Sequence, residues 1–203
     1  MKNTLQSLQL LQEISDKIDN KTFHHHYHVL FDIANSFKGK ISYVEIGCFA
    51  GGSACLMIQR PNTDVFSIDL GEPIPPNVVK ENVNKLNIHN NQYTYIQGNS
   101  NHESTIQSLL NHVKHIDILF IDGDHSYQGV INDFILYEKF VKSGGYIVFD
   151  DYNDFNHCPE VKIAVDEIVQ KTSDYKIIGA LKNIHGARPA ELQDSNVFII
   201  RKK

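Results

Sequence analysis

EIGCFAGGSA, residues 45–54, follows directly on the β-rich run SYV (42–44) and leads into helical spacing from Ser53. A strand that ends in an acid and a glycine turn before a helix is a building unit of open α/β sheets, where ligands sit beyond the carboxyl ends of the strands. Glu45 closes the strand, Gly47 sits in the turn, and Gly51 and Gly52 precede Ser53, a residue type suited to capping the helix. The glycines let the backbone approach a ligand closely, although a plain turn needing positive φ uses them equally well. Their spacing departs from GxGxxG, so the pyrophosphate logic of that fingerprint fits poorly.

Working outward, β-rich runs recur as DVFSIDL (64–70), QYTYIQG (92–98), IDILFIDG (116–123) and GGYIVFDD (144–151). Helical spacing fills 53–59, 77–86, 103–113 and 127–141, and strand alternating with helix means right-handed crossovers and a parallel sheet. A further helix over 160–171 precedes YKIIGALK (175–182) and NVFIIRKK (196–203). The connection between these two runs is too short for a crossover helix, so the final strand is expected to run antiparallel and to close one edge. Helices over 5–18 and 25–36 lead into the sheet. The expected fold is α/β: a mostly parallel seven-stranded sheet with an antiparallel last strand and helices on both faces. An amino-terminal helical segment over 1–40 and a main domain over 41–203 form one compact domain.

The strand ends carry the chemistry. Asp69 closes the second strand about two dozen residues after the glycine loop, where a carboxylate can accept hydrogen bonds from both hydroxyls of a ribose. Gly98 and Asn99 follow the third strand and suit the adenine side, although Asn99 is equally a turn residue. In ILFIDGDHSYQGV (118–130) a buried strand ends in Asp122, followed by Asp124, His125 and Tyr127. The next strand ends in Asp150 and Asp151, and neighbouring parallel strands bring that pair toward Asp122. Converging carboxylates repel, which raises their pKa values or recruits a cation. Mg²⁺ prefers such oxygen ligands and polarises a hydroxyl as a Lewis acid. His125, with an ordinary pKa near 6.5, suits a general base; the plainer reading is that Asp124 and His125 only open the following helix. Tyr127 either orients substrate or packs.

With VEIGCFAGGSA (44–54), FIDGDHSY (120–127) and GGYIVFDDY (144–152) in place, the chain resembles the class I S-adenosylmethionine-dependent methyltransferases from about Tyr43 onward. It is most similar to the metal-dependent O-methyltransferase branch and its small-domain family, which includes macrolide and glycoside sugar methyltransferases. The resemblance implies a Rossmann-like class I methyltransferase fold, contacts to S-adenosylmethionine from Glu45, Gly47, Asp69, Gly98 and Asn99, and metal ligands at Asp122, Asp150 and Asp151. Ser53 and Asp122 complete the expected cofactor-binding set, and His125 with Asp122 forms the expected catalytic pair. Where plant-type relatives often carry Asn as the third ligand, Asp makes this site more anionic. The implied activity is O-methyl transfer (EC 2.1.1) with Mg²⁺ or another divalent cation such as Mn²⁺. The implied acceptor is a sugar hydroxyl, for example on a deoxyhexose such as rhamnose in a glycan or glycoside. Catechol-type phenols are the alternative acceptor. Two other classes compete. An NAD-dependent oxidoreductase would share Asp69 and the glycine loop but leaves the convergent carboxylates unexplained. A non-catalytic cofactor-binding module of a larger glycan-assembly protein would bind the cofactor without turnover.

The bulk properties agree with a small-molecule enzyme. With 203 residues, 41% of them hydrophobic, the chain suffices for one core without disulfides. The net charge of −5 gives no source for a phosphate-binding surface, so nucleic acid is not expected as a partner. A small-molecule or glycan acceptor is expected instead, with a homodimer or membership of a larger protein both compatible. No apolar stretch approaches the roughly 20 residues of a membrane span, and the polar start MKNTLQSLQL is no signal peptide, so a cytoplasmic protein is expected. Cys48, Cys55 and Cys158 suggest reduced thiols rather than a disulfide framework. In HHHYH (24–28) only His24 and His28 would share a helix face, and a solvated or substrate-facing helix is expected rather than a metal site. Long polar connections at 71–79 and 182–196 are candidate lids, with His157, His185 and Arg188 in or near such loops expected mainly as surface residues.

Overall fold

The computed structural model describes residues 2–18, 24–181 and 197–203. Its strands are β1 (Ile41–Ile46), β2 (Thr63–Asp69), β3 (Tyr93–Gln97), β4 (Ile116–Ile121), β5 (Val141–Phe149), β6 (Tyr175–Leu181) and β7 (Val197–Lys202). They form a seven-stranded sheet in the order β3-β2-β1-β4-β5-β7-β6, the Rossmann-like methyltransferase arrangement. The helices are α1 (Lys2–Ser15), α2 (His28–Asn35), α3 (Gly52–Met57), α4 (Pro76–Leu86), α5 (Glu103–Leu110), α6 (Tyr127–Tyr137) and α7 (Pro159–Lys171). Among the described residues, no helix is long and apolar enough to cross a membrane.

Two compact units divide the chain at Lys114 and His115. In the first, β1, β2 and β3 pair in parallel, with Glu45 opposite Ser67 and Ile68 opposite Ile96. Val44, Ile46, Val65, Phe66 and Ile68 are buried, as expected of strands covered on both faces. The amino-terminal α1 and α2 pack on each other and on α3, and Ser7 donates from α1 to Asp32 of α2 at 2.7 Å. The HHHYH segment departs from expectation. His24 is extended, residues 25–27 form a 3-10 turn, and α2 starts only at His28, so His24 and His28 share no helical face. His26 and His28 are buried, and the rings of His24, His26 and Tyr27 pack in tilted and edge-on pairs with centroids 5.1–5.3 Å apart. For His24, His26 and Tyr27, ring packing rather than solvation accounts for the placement.

In the second unit β4 and β5 pair in parallel, and β7 lies antiparallel to both β5 and β6. The final strand is antiparallel as expected, but it does not close the edge: it inserts between β5 and β6, which leaves β6 outermost. Burial explains the order. Val197, Phe198, Ile199 and Ile200 form an unbroken buried run that needs cover on both faces, whereas Ile177 and Ile178 of β6 are exposed. The 3-10 turn Glu138–Phe140 ends α6 before β5 begins at Val141, earlier than the helical spacing suggested.

Candidate active site

In the first unit, Glu45 and Ser53 bond each other. Glu45 has no exposed surface, and it accepts hydrogen bonds from Tyr43 Oη at 2.8 Å, Ser53 Oγ at 2.6 Å and Ser67 Oγ at 2.6 Å. Alternation puts Tyr43 and Glu45 on one face of β1, and register puts Ser67 beside them. The Ser53 hydroxyl is spent on Glu45, so the two residues tie the start of α3 to the sheet beneath the glycine loop. Burial pushes the Glu45 carboxyl up to about 7, against the pull of its three hydroxyl donors.

That shift has a defined effect on stability. The folded protein keeps a proton on Glu45 that the unfolded chain, with the ordinary value of 4.5, has already lost, so rising pH removes stability across the window from 4.5 to about 7. The difference corresponds to about 3 kcal/mol. Denaturant melts of wild type and Glu45→Gln should therefore diverge as pH rises through that window, with the variant gaining relative to wild type. Parallel curves would place the Glu45 pKa at its ordinary value.

The loop above is held by Asp69. Its Oδ2 accepts the amides of Cys48 at 2.9 Å and Phe49 at 3.3 Å, while Oδ1 accepts the Gly71 amide at 2.7 Å and the Tyr95 hydroxyl at 3.4 Å. A carboxylate offers about four lone-pair sites, so ribose hydroxyls would compete with the two longest of these bonds. Gly47, at φ 82°, turns the chain off β1, and its amide donates to Ile68 at 2.8 Å. At Gly98 a Cβ would stand 2.5 Å from Thr105 Oγ1, so α5 packs against bare backbone there. Asn99 is exposed and its side chain accepts the Asn101 amide at 2.8 Å, the turn role weighed against adenine contact.

In the second unit the register pairs Ile121 with Phe149, which brings Asp122 and Asp150 to the same level at the carboxyl ends of β4 and β5. Successive residues of a strand point to opposite faces, and the backbone solves this at Asp151, which takes φ 54° and donates its amide to Asp150 Oδ1 at 2.9 Å. Asp tolerates this left-handed conformation better than most residues. Asp122, Asp150 and Asp151 thereby place one oxygen each within 4.8 Å of one another. Burial, then the charge of Asp150, hold the Asp122 carboxyl well above its usual range. Asp150 and Asp151 are buried and Asp122 half-buried, and three converging carboxylates fit a hard divalent cation in donor chemistry and in charge.

His125 belongs to this cluster and not to the cap of α6. Ser126 caps that helix, accepting the Gly129 amide at 3.0 Å, and Asp124 accepts the Ser126 amide at 2.9 Å. The His125 Nε2 lies 3.3 Å from Asp122 Oδ1 and 3.5 Å from Asp151 Oδ2. The hydrogen bond to Asp122 raises the imidazole to about 9, against the effect of burial, so the value near 6.5 assumed from sequence is not the one the carboxylates impose. Cys158, which the sequence gave no reason to include, places Sγ 3.2 Å from His125 Nδ1. Tyr127 donates its hydroxyl to Glu167 at 2.7 Å and its amide to Glu160 at 2.7 Å, so it fastens α6 to α7. His157 is exposed beside Asp154, while His185, Arg188 and the 182–196 connection lie outside the described residues.

Residues 44–152 match the sequence family described as a methyltransferase domain, more than half of the chain. The chain belongs to this methyltransferase family. An uncharacterized protein, R132, of Acanthamoeba polyphaga mimivirus is 42% identical over 97% of the chain and 96% of its own length. Among solved structures, the O-methyltransferase from Bacillus cereus in complex with SAH superimposes with a TM-score of 0.68 at 16% identity, covering all of this chain and 91% of that one. An rRNA methylase from Streptococcus thermophilus does so with a TM-score of 0.64 at 13% identity, over 90% of this chain and 99% of that one. Identities this low establish the methyltransferase fold and leave the methyl acceptor to the chemistry of the site.

Proposed function

We propose that this methyltransferase uses S-adenosylmethionine and a divalent cation, Mg²⁺ or Mn²⁺, to methylate a hydroxyl oxygen, with a sugar hydroxyl such as that of a deoxyhexose in a glycan or glycoside as acceptor. The observation that carries the reading is the convergence of Asp122, Asp150 and Asp151 with His125 directly on it. A methyltransferase acting on a strong nucleophile has no use for three carboxylates at one point; one acting on a neutral hydroxyl does. When bound, the cation supplies Lewis acidity that makes such a hydroxyl easier to ionise. Asp122, Asp150 and Asp151 would hold the cation and leave positions for the two oxygens of a vicinal diol, which suits sugars and catechols alike.

His125 would take the hydroxyl proton at Nε2. The carboxylates that now hold its proton are those a cation compensates, so the imidazole becomes a base when the cation is present. On the cofactor side, Asp69 would accept the ribose hydroxyls and the Gly47 turn would let the backbone approach, while Glu45 and Ser53 brace the loop from below. The net charge of −5 supports a small or glycan acceptor over an RNA.

A screen of labelled methyl transfer from S-adenosylmethionine to rhamnosides, other deoxyhexosides and catechols tests the reading. Product that disappears with chelator and returns with Mg²⁺ is expected. Transfer that is indifferent to chelator would remove the cation from the reaction.

A further inference from the structure

The carboxylate cluster accounts for the acids but not for Cys158. This thiol is buried at the amino-terminal end of α7, where its side chain makes no cap, and its Sγ lies 3.2 Å from His125 Nδ1 and 3.5 Å from Asp151 Oδ2. A thiol, an imidazole and a carboxylate thus present one donor atom each within 4.8 Å of one another. We infer that His125, Asp151 and Cys158 form a second cation site, selective for a softer metal such as Zn²⁺, that shares Asp151 with the hard-cation site and excludes it when filled.

The geometry favours a tetrahedral ion. Bond lengths of about 2.3 Å to sulfur and about 2.0 Å to nitrogen or oxygen put the ligand atoms of a tetrahedral zinc site about 3.3–3.6 Å apart. The sulfur–nitrogen and sulfur–oxygen edges, 3.2 and 3.5 Å, are already near those values. The far side of the ring is arranged as well. With Nδ1 facing the sulfur, Nε2 lies 3.3 Å from Asp122 Oδ1 and 3.5 Å from Asp151 Oδ2, so Asp122 stays to orient the ring and fix its tautomer once Asp151 turns to the metal. Thiolate and imidazole are softer donors than the all-carboxylate set and discriminate against Mg²⁺. Burial and the charge of Asp151 hold the Cys158 thiol protonated until a metal displaces the proton.

Filling the site breaks the S–H bond of Cys158 and removes the proton of His125, both protons passing to solvent while metal–sulfur and metal–nitrogen bonds form. Nothing is oxidised or reduced. Because Asp151 and His125 are withdrawn from the Mg²⁺ reaction, zinc should act as an inhibitor that extra Mg²⁺ relieves. The site itself depends on neither cofactor nor acceptor, so it stands or falls apart from the methyltransferase mechanism.

Co²⁺ is the probe, added to the full chain and followed by ultraviolet absorption. An intense thiolate-to-cobalt charge-transfer band is expected, bleached by Zn²⁺, absent in Cys158→Ser and retained in Asp150→Asn. No band in wild type, or a band that survives Cys158→Ser, would overturn the assignment. X-ray absorption of the zinc-loaded wild type makes the result independent of how the variants fold: a sulfur scatterer in the metal's coordination shell is expected, and a shell of nitrogen and oxygen alone overturns it.

Discussion

On the proposed cation mechanism, Asp150→Asn is expected to lower methyl transfer by roughly a hundred- to a thousandfold. The same substitution raises the melting temperature of the cation-free protein by about 2–4 °C for each kcal/mol of repulsion relieved. The two effects have one cause. Asp150 is buried, and its charge helps to hold the Asp122 carboxyl above its usual range. Asparagine has the same shape and its carbonyl still accepts the Asp151 amide, so the local turn survives while one of the three charges is lost. A structural carboxylate would behave differently: its loss would lower stability and leave catalysis near wild type. Chelated protein followed by thermal unfolding, alongside methyl transfer at saturating Mg²⁺, separates the two.

Asp69→Ala weakens S-adenosylmethionine binding by roughly ten- to a hundredfold, the scale of losing hydrogen bonds to a charged group. Lost bonds to the ribose are expected to supply part of that effect. Part comes from the loop, because Asp69 also holds the amides of Cys48 and Phe49. Asp69→Asn retains a single carbonyl oxygen and should fall between wild type and alanine. Cation affinity should change in neither variant, since Asp69 belongs to the first unit and the carboxylate cluster to the second. Calorimetry with each ligand reads both quantities, and an Asp69 variant that lost the cation while keeping the cofactor would contradict the assignment of the two halves.

The fold was legible because its signals are local and repeated. Each of the first five strands is a short run that ends at or next to a glycine or an acid, most helices keep their spacing, and Asp122 and Asp150 fall where parallel register aligns them. The place of β7 was not legible, because strand order depends on which apolar run needs two covers, and Ile177 and Ile178 lie exposed on β6 although their run is as apolar in sequence as β7. The histidine run misled for a related reason: His24 is extended, so helical spacing does not apply across it.

At the site, the residue types were legible and their partners were not. Glu45 reads as a ligand-facing acid at a strand end, and only the pairing of β1 with β2 shows Ser67 beside it. That register, combined with the alternation that aligns Tyr43, is the signal that could have revealed a buried carboxylate. Asp151 converges on Asp122 through a left-handed residue that no periodicity announces. Cys158 reaches His125 from 33 residues away along the chain, a distance no motif spans.

The central claim is that one protein holds both an adenosyl cofactor and a divalent cation, and titration calorimetry of chelator-treated protein tests it most directly. S-adenosylmethionine and S-adenosylhomocysteine should bind while NAD does not, and Mg²⁺ should bind to wild type and fail to bind to Asp150→Ala. Binding of NAD in place of the adenosyl ligands, or Mg²⁺ binding untouched by loss of Asp150, would contradict the account.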